Sequence, residues 1–263
     1  MLNLIMTGTI NPEKFNNTGV VLTSVSTRLS QYKKAIEFYI KDSPFENIIF
    51  VENSQYPFNE KEYIILASKY NKRFEFIPIQ TNLNETIRKG KSYGEADCIE
   101  KAITNSKLLS KEKSFYKITG RIILKNSMSM IRKDNNTSFL FRHDLKKCYT
   151  FFFKANIEQY LSIFKDCKDL CDEKKGFDIE TVYYRIIKEQ QLTIKSFNTY
   201  PLIIGTIGTT GDTYNDNKFI YTIKNILTKL GLYSQKGIYL SNLINILAQF
   251  RLLVFAKHKS LLL

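Results

Sequence analysis

Tryptophan is absent from this sequence, acidic residues stop at Asp216, and neither of two familiar glycine-rich phosphate loops is present. The missing loops are GxxxxGK[ST] and a GxGxxG opening a helix after the first strand, which disfavours a P-loop NTPase and a Rossmann dehydrogenase. The four cysteines, Cys98, Cys148, Cys167 and Cys171, lack the paired spacing and histidine companions of a zinc site. Cys167 and Cys171 stand at i and i+4, and a reduced, structural role is expected of them. The opening "MLNLIMTGTINPEKF" has no basic residue ahead of its apolar run and meets Glu13 and Lys14 too early for a secretory signal. A cytoplasmic location is therefore expected.

What is present fits a folded α/β protein. The chain has 263 residues, 43% of them hydrophobic and 24% charged, with 16 Tyr and 19 Phe, which argues against disorder. Its formal charge of +14 predicts an anionic partner: a nucleotide, a nucleic acid or an acidic membrane surface. From Asn217 to Leu263 the lysines and arginines contribute +7 with no acid to offset them.

"LNLIMTGTI" reads as a buried strand running into a loop, and "STRLSQYKKAIEFYI" as a helix capped by Ser26 or Thr27. "NIIFVENS", "KEYIILASKYNK", "RFEFIPIQ" and "GKSYGEADCIEKAITNSKLL" continue the alternation as strand, helix, strand and helix, and residues 115–126, "FYKITGRIILKN", follow as another strand. This order predicts a layered α/β domain with a mostly parallel central sheet. Further on, "SFLFRHD" and "CYTFFFKA" read as strands, "NIEQYLSIFKDCKDL" and "GFDIETVYYRIIKEQ" as helices, and "PLIIGTIGTTGDTYN" as a glycine-rich loop. Two helices complete the chain, residues 218–230 and 237 to about 256.

In an open parallel sheet, ligands gather at the carboxyl ends of the strands. Those ends carry Thr7, Gly8 and Thr9, then Glu52 and Asn53, then Lys117, Gly120 and Arg121, while Lys91, Gly94 and Glu95 open a helix nearby. Glycines allow close backbone approach, cations neutralise phosphate, and an acid or amide binds a base or ribose hydroxyl, so the set suits a nucleotide diphosphate. Solvation of a strand end is the plainer role for Lys117 and Arg121.

On "TGTINP", "RLSQYKKAIEFYI", "IIFVENS", "GKSYGEADCIEKAI", "FYKITGRI" and "IGTIGTTGDTY", in that order, the chain resembles bacterial GT-A-type glycosyltransferases of capsule or lipopolysaccharide biosynthesis. The resemblance implies a GT-A-like, Rossmann-like catalytic domain over residues 1–216, with a nucleotide-sugar half at 1–126 and an acceptor half at 127–216. Residues 217–263 then form a basic, helical C-terminal appendage. It implies a nucleotide-sugar donor held by the strand-end residues above together with Arg28, and a glycan or glycolipid acceptor. Such enzymes commonly carry Asp-x-Asp where this chain has "KITGR", so metal-independent chemistry is expected, with Lys117 and Arg121 stabilising the leaving diphosphate. An inverting transfer needs a carboxylate base, for which Glu180 and then Asp178 in "GFDIETVYY" are the candidates. Ordinary charge at a helix N-terminus is their alternative role. Gly208, Gly211, Asp212 and Tyr214 are candidates for a flexible loop closing on donor or acceptor, with a plain surface turn as the alternative. His143 and Asp144 are adjacent in a strand, face opposite sides, and are not expected to pair.

A sugar-phosphate nucleotidyltransferase shares the layered pattern but needs a basic glycine-rich opening loop and metal-binding carboxylates that the sequence does not display. A nucleic-acid-binding module or non-catalytic scaffold is compatible with the charge, yet the tail lysines alternate with apolar residues rather than forming a stripe with stacking aromatics. Asn242, Asn245 and Gln249 share a helical stripe and Arg251 interrupts the apolar run, which predicts an in-plane amphipathic helix on the anionic inner-membrane surface. Packing on the catalytic domain, or on a second copy in a homodimer, is the alternative.

Overall fold

The computed structural model describes residues 1–207, 210–214, 217–239 and 241–242. Strands β1 (Asn3–Gly8), β2 (Asn47–Glu52), β3 (Arg73–Pro78) and β4 (Ser114–Thr119) run parallel, joined by α1 (Val25–Asp42), α2 (Glu60–Lys69), and the consecutive helices α3 (Leu83–Lys89) and α4 (Lys91–Asn105). Short elements follow: β5 (Ile123–Leu124), α5 (Ser127–Met130), and the ladder of β6 (Phe141–Arg142) with β7 (Lys147–Cys148). Strand β8 (Phe152–Asn156) then joins the sheet antiparallel to β4, giving the order β3-β2-β1-β4-β8. Helices α6 (Ile157–Ile163), α7 (Cys167–Leu170) and α8 (Ile179–Glu189), the antiparallel pair β9 (Ile203–Thr206) and β10 (Thr213–Tyr214), and α9 (Lys218–Lys229) complete the described fold. It is a mixed α/β architecture with a mostly parallel central sheet, as the alternation of elements predicts.

The period of two along each strand sends side chains to two cores. Leu4, Met6, Ile48, Phe50, Tyr116 and Ile118 pack on the α1 side, while Ile5, Ile49, Val51, Phe115 and Phe153 pack against α4 and α8. Burial on both faces explains why β1 and β2 read as unbroken apolar runs. Helix α1 buries Arg28, Tyr32, Ala35, Ile36, Tyr39 and Ile40, a single face at helical spacing. Its cap is Ser24, whose Oγ accepts from the Thr27 amide at 3.3 Å, so Ser26 and Thr27 lie inside the first turn.

Four other expectations change. The apolar segment 115–126 is not one strand: β4 stops at Thr119, the Gly120 amide donates to the Thr7 carbonyl at 2.9 Å, and Ile123–Leu124 pairs with β9 instead. "LNETIRK" forms α3, capped by Asn82 and ended at Gly90 with φ +102°, a helix absent from the expectation. The segment 156–170 breaks into α6 and α7. The glycine-rich loop is a hairpin in which Thr213 faces Thr206 and Tyr214 faces Gly205. Helix α9 forms where expected, whereas most of the expected helix from 237 to 256 lies outside the described residues.

Strand order reverses between β1 and β4, and both strands end there in a glycine turn. A β-carbon on Gly120 falls 2.8 Å from the Thr7 carbonyl oxygen and 3.1 Å from the Tyr32 ring. Backbone cannot move aside cheaply, so Gly120→Ala is expected to destabilise the protein by about 1–3 kcal/mol. A lower urea midpoint with an unchanged slope would match this; a wild-type midpoint would show that the two turns are not in close contact.

Candidate active site

A cleft of about 400 Å³ opens at the carboxyl ends of β1 and β4, the topological switch point of the sheet. Thr7, Gly8 and Thr9 from the end of β1, Asn53 from the end of β2, and Thr119 and Arg121 from the end of β4 line it. Lys91, Ser92 and Glu95 enter from the start of α4, and Lys147, Asp178, Glu180 and Tyr214 from the second half of the chain.

One wall is cationic. Arg121 is buried, donates through Nη1 to Gln31 Oε1 at 2.8 Å and lies 6.0 Å from the Tyr32 ring centre. Its Nε is buried without a hydrogen-bond partner among the described residues, a costly state. Arg28 is also buried, but its guanidinium is engaged: Nε donates to the Thr9 carbonyl at 2.8 Å and Nη1 to Leu22 at 3.0 Å, fixing the loop after β1. Burial lowers the Arg28 pKa, Tyr32 opposes this, and the nearby Arg121 charge adds to it. The Thr9 amide donates to the Tyr32 hydroxyl at 2.8 Å and its hydroxyl to Asn53 Oδ1 at 2.7 Å. A β-carbon on Gly94 falls 2.9 Å from Asn53 Nδ2, so this glycine makes room for the amide.

Two strand-end expectations are corrected. Lys117 is not a free cation at the sheet edge: it is completely buried, with Nζ on Glu95 and, at 2.7 Å, on the Thr150 carbonyl. The strand period points it at α4 together with Phe115, beneath the cleft rather than into it. Glu52 is equally committed, accepting from the amides of Ile10 at 2.9 Å, Ser54 at 3.0 Å and Tyr56 at 3.1 Å. It organises the turn after β2 and, fully buried, presents no oxygen to a ribose. Lys91 Nζ sits 3.2 Å from Glu173, whose carboxylate also accepts from the Ser92 amide at the start of α4.

The opposite wall is acidic. Asp178 is the N-cap of α8, accepting from the Thr181 amide at 2.9 Å, and its other oxygen bonds Lys147 Nζ. Burial alone would raise the Asp178 carboxyl, but the bonds from Lys147 and Thr181 hold it below its usual value. Glu180, 3.6 Å from Lys147 Nζ, keeps 30% of its side chain exposed. Burial raises its pKa, Lys147 opposes this, and the charges of Asp178 and Glu95 reinforce it. Tyr214 reaches the same wall from β10; burial with the charges of Glu180 and Glu95 pushes its hydroxyl up to about 12, and Arg121 opposes. Asp178 is thus held by two bonds, whereas Glu180 has the looser contact to Lys147 and a raised pKa.

The fold brings Thr7, Gly8, Thr9, Arg28, Asn53, Lys91, Glu95, Arg121, Asp178, Glu180 and Tyr214 to one cleft. Gly211 and Asp212 belong to the hairpin loop outside the cleft lining, and Gly208 lies outside the described residues. Lys147 is the main residue the sequence reading passed over; it stands in "FRHDLKK", beside the His143 and Asp144 that drew notice. Those two do not pair, for His143 bonds the Tyr184 hydroxyl and the Ser234 carbonyl while Asp144 bonds Arg142. Among the described residues no three His, Cys, Asp or Glu side chains converge to hold a metal ion. Of the carboxylates that line the cleft, Glu95 pairs with Lys117, and Asp178 and Glu180 with Lys147. All four cysteines are buried and free.

No protein-family model and no curated protein matches the chain. Among solved structures it is similar to the glycosyltransferase GlyE of Streptococcus pneumoniae, with a TM-score of 0.45 and 9% identity over 74% of this chain and 44% of that one. It is also similar to the galactosyltransferase LgtC in complex with donor and acceptor sugar analogs, with a TM-score of 0.42 and 8% identity over 70% of each chain. A nucleoside-diphosphate-sugar pyrophosphorylase of Vibrio cholerae aligns with a TM-score of 0.39 and 12% identity over 74% of this chain and 90% of that one. The chain thus spans less than half the length of GlyE, and likenesses this distant do not distinguish between the activities named.

A raised glutamate pKa has a direction in stability. Below the unfolded-state value of Glu180 both states are protonated and burial carries no charge penalty; as pH rises through the raised folded value, the ionised carboxylate erodes stability. Glu180→Gln is therefore expected to be at least as stable as wild type at about pH 7, with its advantage shrinking towards about pH 4. Urea midpoints at the two pH values would check this, and a variant less stable at neutral pH would contradict it.

Proposed function

We propose that the protein is a glycosyltransferase that moves a sugar from a nucleotide-sugar donor to a glycan or glycolipid acceptor. The observation that carries the proposal is the polarity of the cleft. A buried guanidinium with a free N–H stands at the strand ends, and a carboxylate of raised pKa stands on the facing half of the chain. The first suits the donor diphosphate and the second suits an acceptor hydroxyl.

In the inverting reaction, the acceptor oxygen attacks the anomeric carbon while the carbon–oxygen bond to the diphosphate breaks. The hydroxyl proton passes to Glu180, and the bonding pair leaves on the diphosphate, where Arg121 stabilises the growing charge without a divalent ion. Lys147 and Asp178 position Glu180 at the head of α8. Residues 1–126 serve mainly the donor and 127–216 the acceptor, with Tyr214 closing the acceptor side. No role for nucleic acid is included.

Thermal unfolding with UDP, GDP, CDP, CMP and dTDP, each with manganese and with EDTA, tests the donor half. One nucleotide is expected to raise Tm by several degrees regardless of metal, and Arg121→Ala is expected to abolish the rise. Absence of a shift with all five would overturn the proposal, and a shift that requires manganese would overturn metal independence.

A further inference from the structure

Helix α9 is amphipathic and leaves part of its apolar face outward. Phe219, Ile226 and Leu230 stand at i, i+7 and i+11, on one stripe, and are 64%, 51% and 68% exposed. The inward side is held largely by polar groups. Asn225 Oδ1 accepts from the Tyr200 amide at 3.0 Å, the Tyr221 hydroxyl accepts from Asn126 Nδ2 at 3.1 Å, and Lys224 Nζ lies 5.3 Å from the centre of the Tyr200 ring. Thr228 is buried on that side, and Leu227 packs against the core. Tyr221 and Leu227 pack inward, but Phe219, Ile226 and Leu230 leave more apolar surface outside than an ordinary surface helix shows.

Charge indicates what covers the stripe. Lys218 and Lys229 are exposed at the border of the apolar face, Lys236 is exposed just beyond the helix, and no acidic residue occurs from Asn217 to the end of the sequence. A second copy would set lysines against lysines, and residues 243–263, with Arg251, Lys257 and Lys259 and no acid, bring no negative charge to the lysines. Anionic headgroups above an acyl boundary supply both the negative charge and the apolar medium. With 12 residues α9 is too short to span a bilayer, and among the described residues no helix is long and apolar enough to do so.

We propose that the outward face of α9 lies in the plane of an anionic lipid surface, with Phe219, Ile226 and Leu230 in the interface and Lys218 and Lys229 on the headgroups. This differs from attachment by the last residues of the chain alone, because a helix of the described fold makes the contact.

Flotation of the full-length protein with vesicles of phosphatidylcholine, and of phosphatidylcholine with admixed phosphatidylglycerol, tests it. Wild type is expected to float with the anionic vesicles only. Lys218→Gln and Lys229→Gln are each expected to weaken partitioning roughly five-fold, from about 1 kcal/mol per cation. The pair Phe219→Ser with Ile226→Ser is expected to abolish flotation while keeping the wild-type Tm, since both positions are exposed. Three outcomes overturn the proposal: equal flotation with phosphatidylcholine alone, α9 variants that float like wild type, or variants whose only change is dimer to monomer in light scattering.

Discussion

The cleft depends on one buried charge. Lys117 is fully excluded from solvent in the middle of β4, and an unpaired ammonium there would cost several kcal/mol. Glu95 from α4 and the Thr150 carbonyl from the segment before β8 surround it, so a single ammonium joins three parts of the chain beneath the cleft. Glu95 thereby fixes where the start of α4 meets the strand ends, and Thr150 fixes where the second half approaches the first. A misplaced α4 would leave a charge buried without its counterion, which is a strong penalty against alternative packings.

Above that floor the cleft has two electrical ends. Arg28 and Arg121 concentrate positive potential beside the glycine turns of β1 and β4, and the Arg121 charge adds to the lowering of the Arg28 pKa by burial. Across from them, Lys147 divides its attention between Asp178, which caps α8, and Glu180, which does not. The division separates a carboxylate that caps a helix from one held only by the looser contact to Lys147, the one proposed to take the acceptor proton. Tyr214 lies within electrostatic reach of Glu180, Glu95 and Arg121, and so spans the two ends.

Much of the fold was legible because both regular periods are strong. Unbroken apolar runs marked β1 and β2, and the spacing of Tyr32, Ile36 and Tyr39 marked α1. Helix α3 was hidden because "LNETIRK" is short and mostly polar, and the end of β4 was hidden because "GRIIL" remains apolar after the chain has turned to pair with β9. At the site, the residue types were legible but their directions were not. Glu52 stands at the right strand end yet satisfies backbone amides, and Lys117 lies short of the end of β4 and points into the sheet's own packing. Lys147 drew no notice because its importance comes from β7 lying against α8, a contact that no local pattern records.

The central claim is that the two ends of the cleft do different work. Calorimetric titration of the nucleoside diphosphate product, combined with single-turnover sugar transfer, separates them in Arg121→Ala and Glu180→Gln. Glu180→Gln should bind the diphosphate like wild type and lose transfer, while Arg121→Ala should lose the binding itself. Equal loss of binding in both variants, or transfer near wild type in Glu180→Gln, would contradict this division of the cleft.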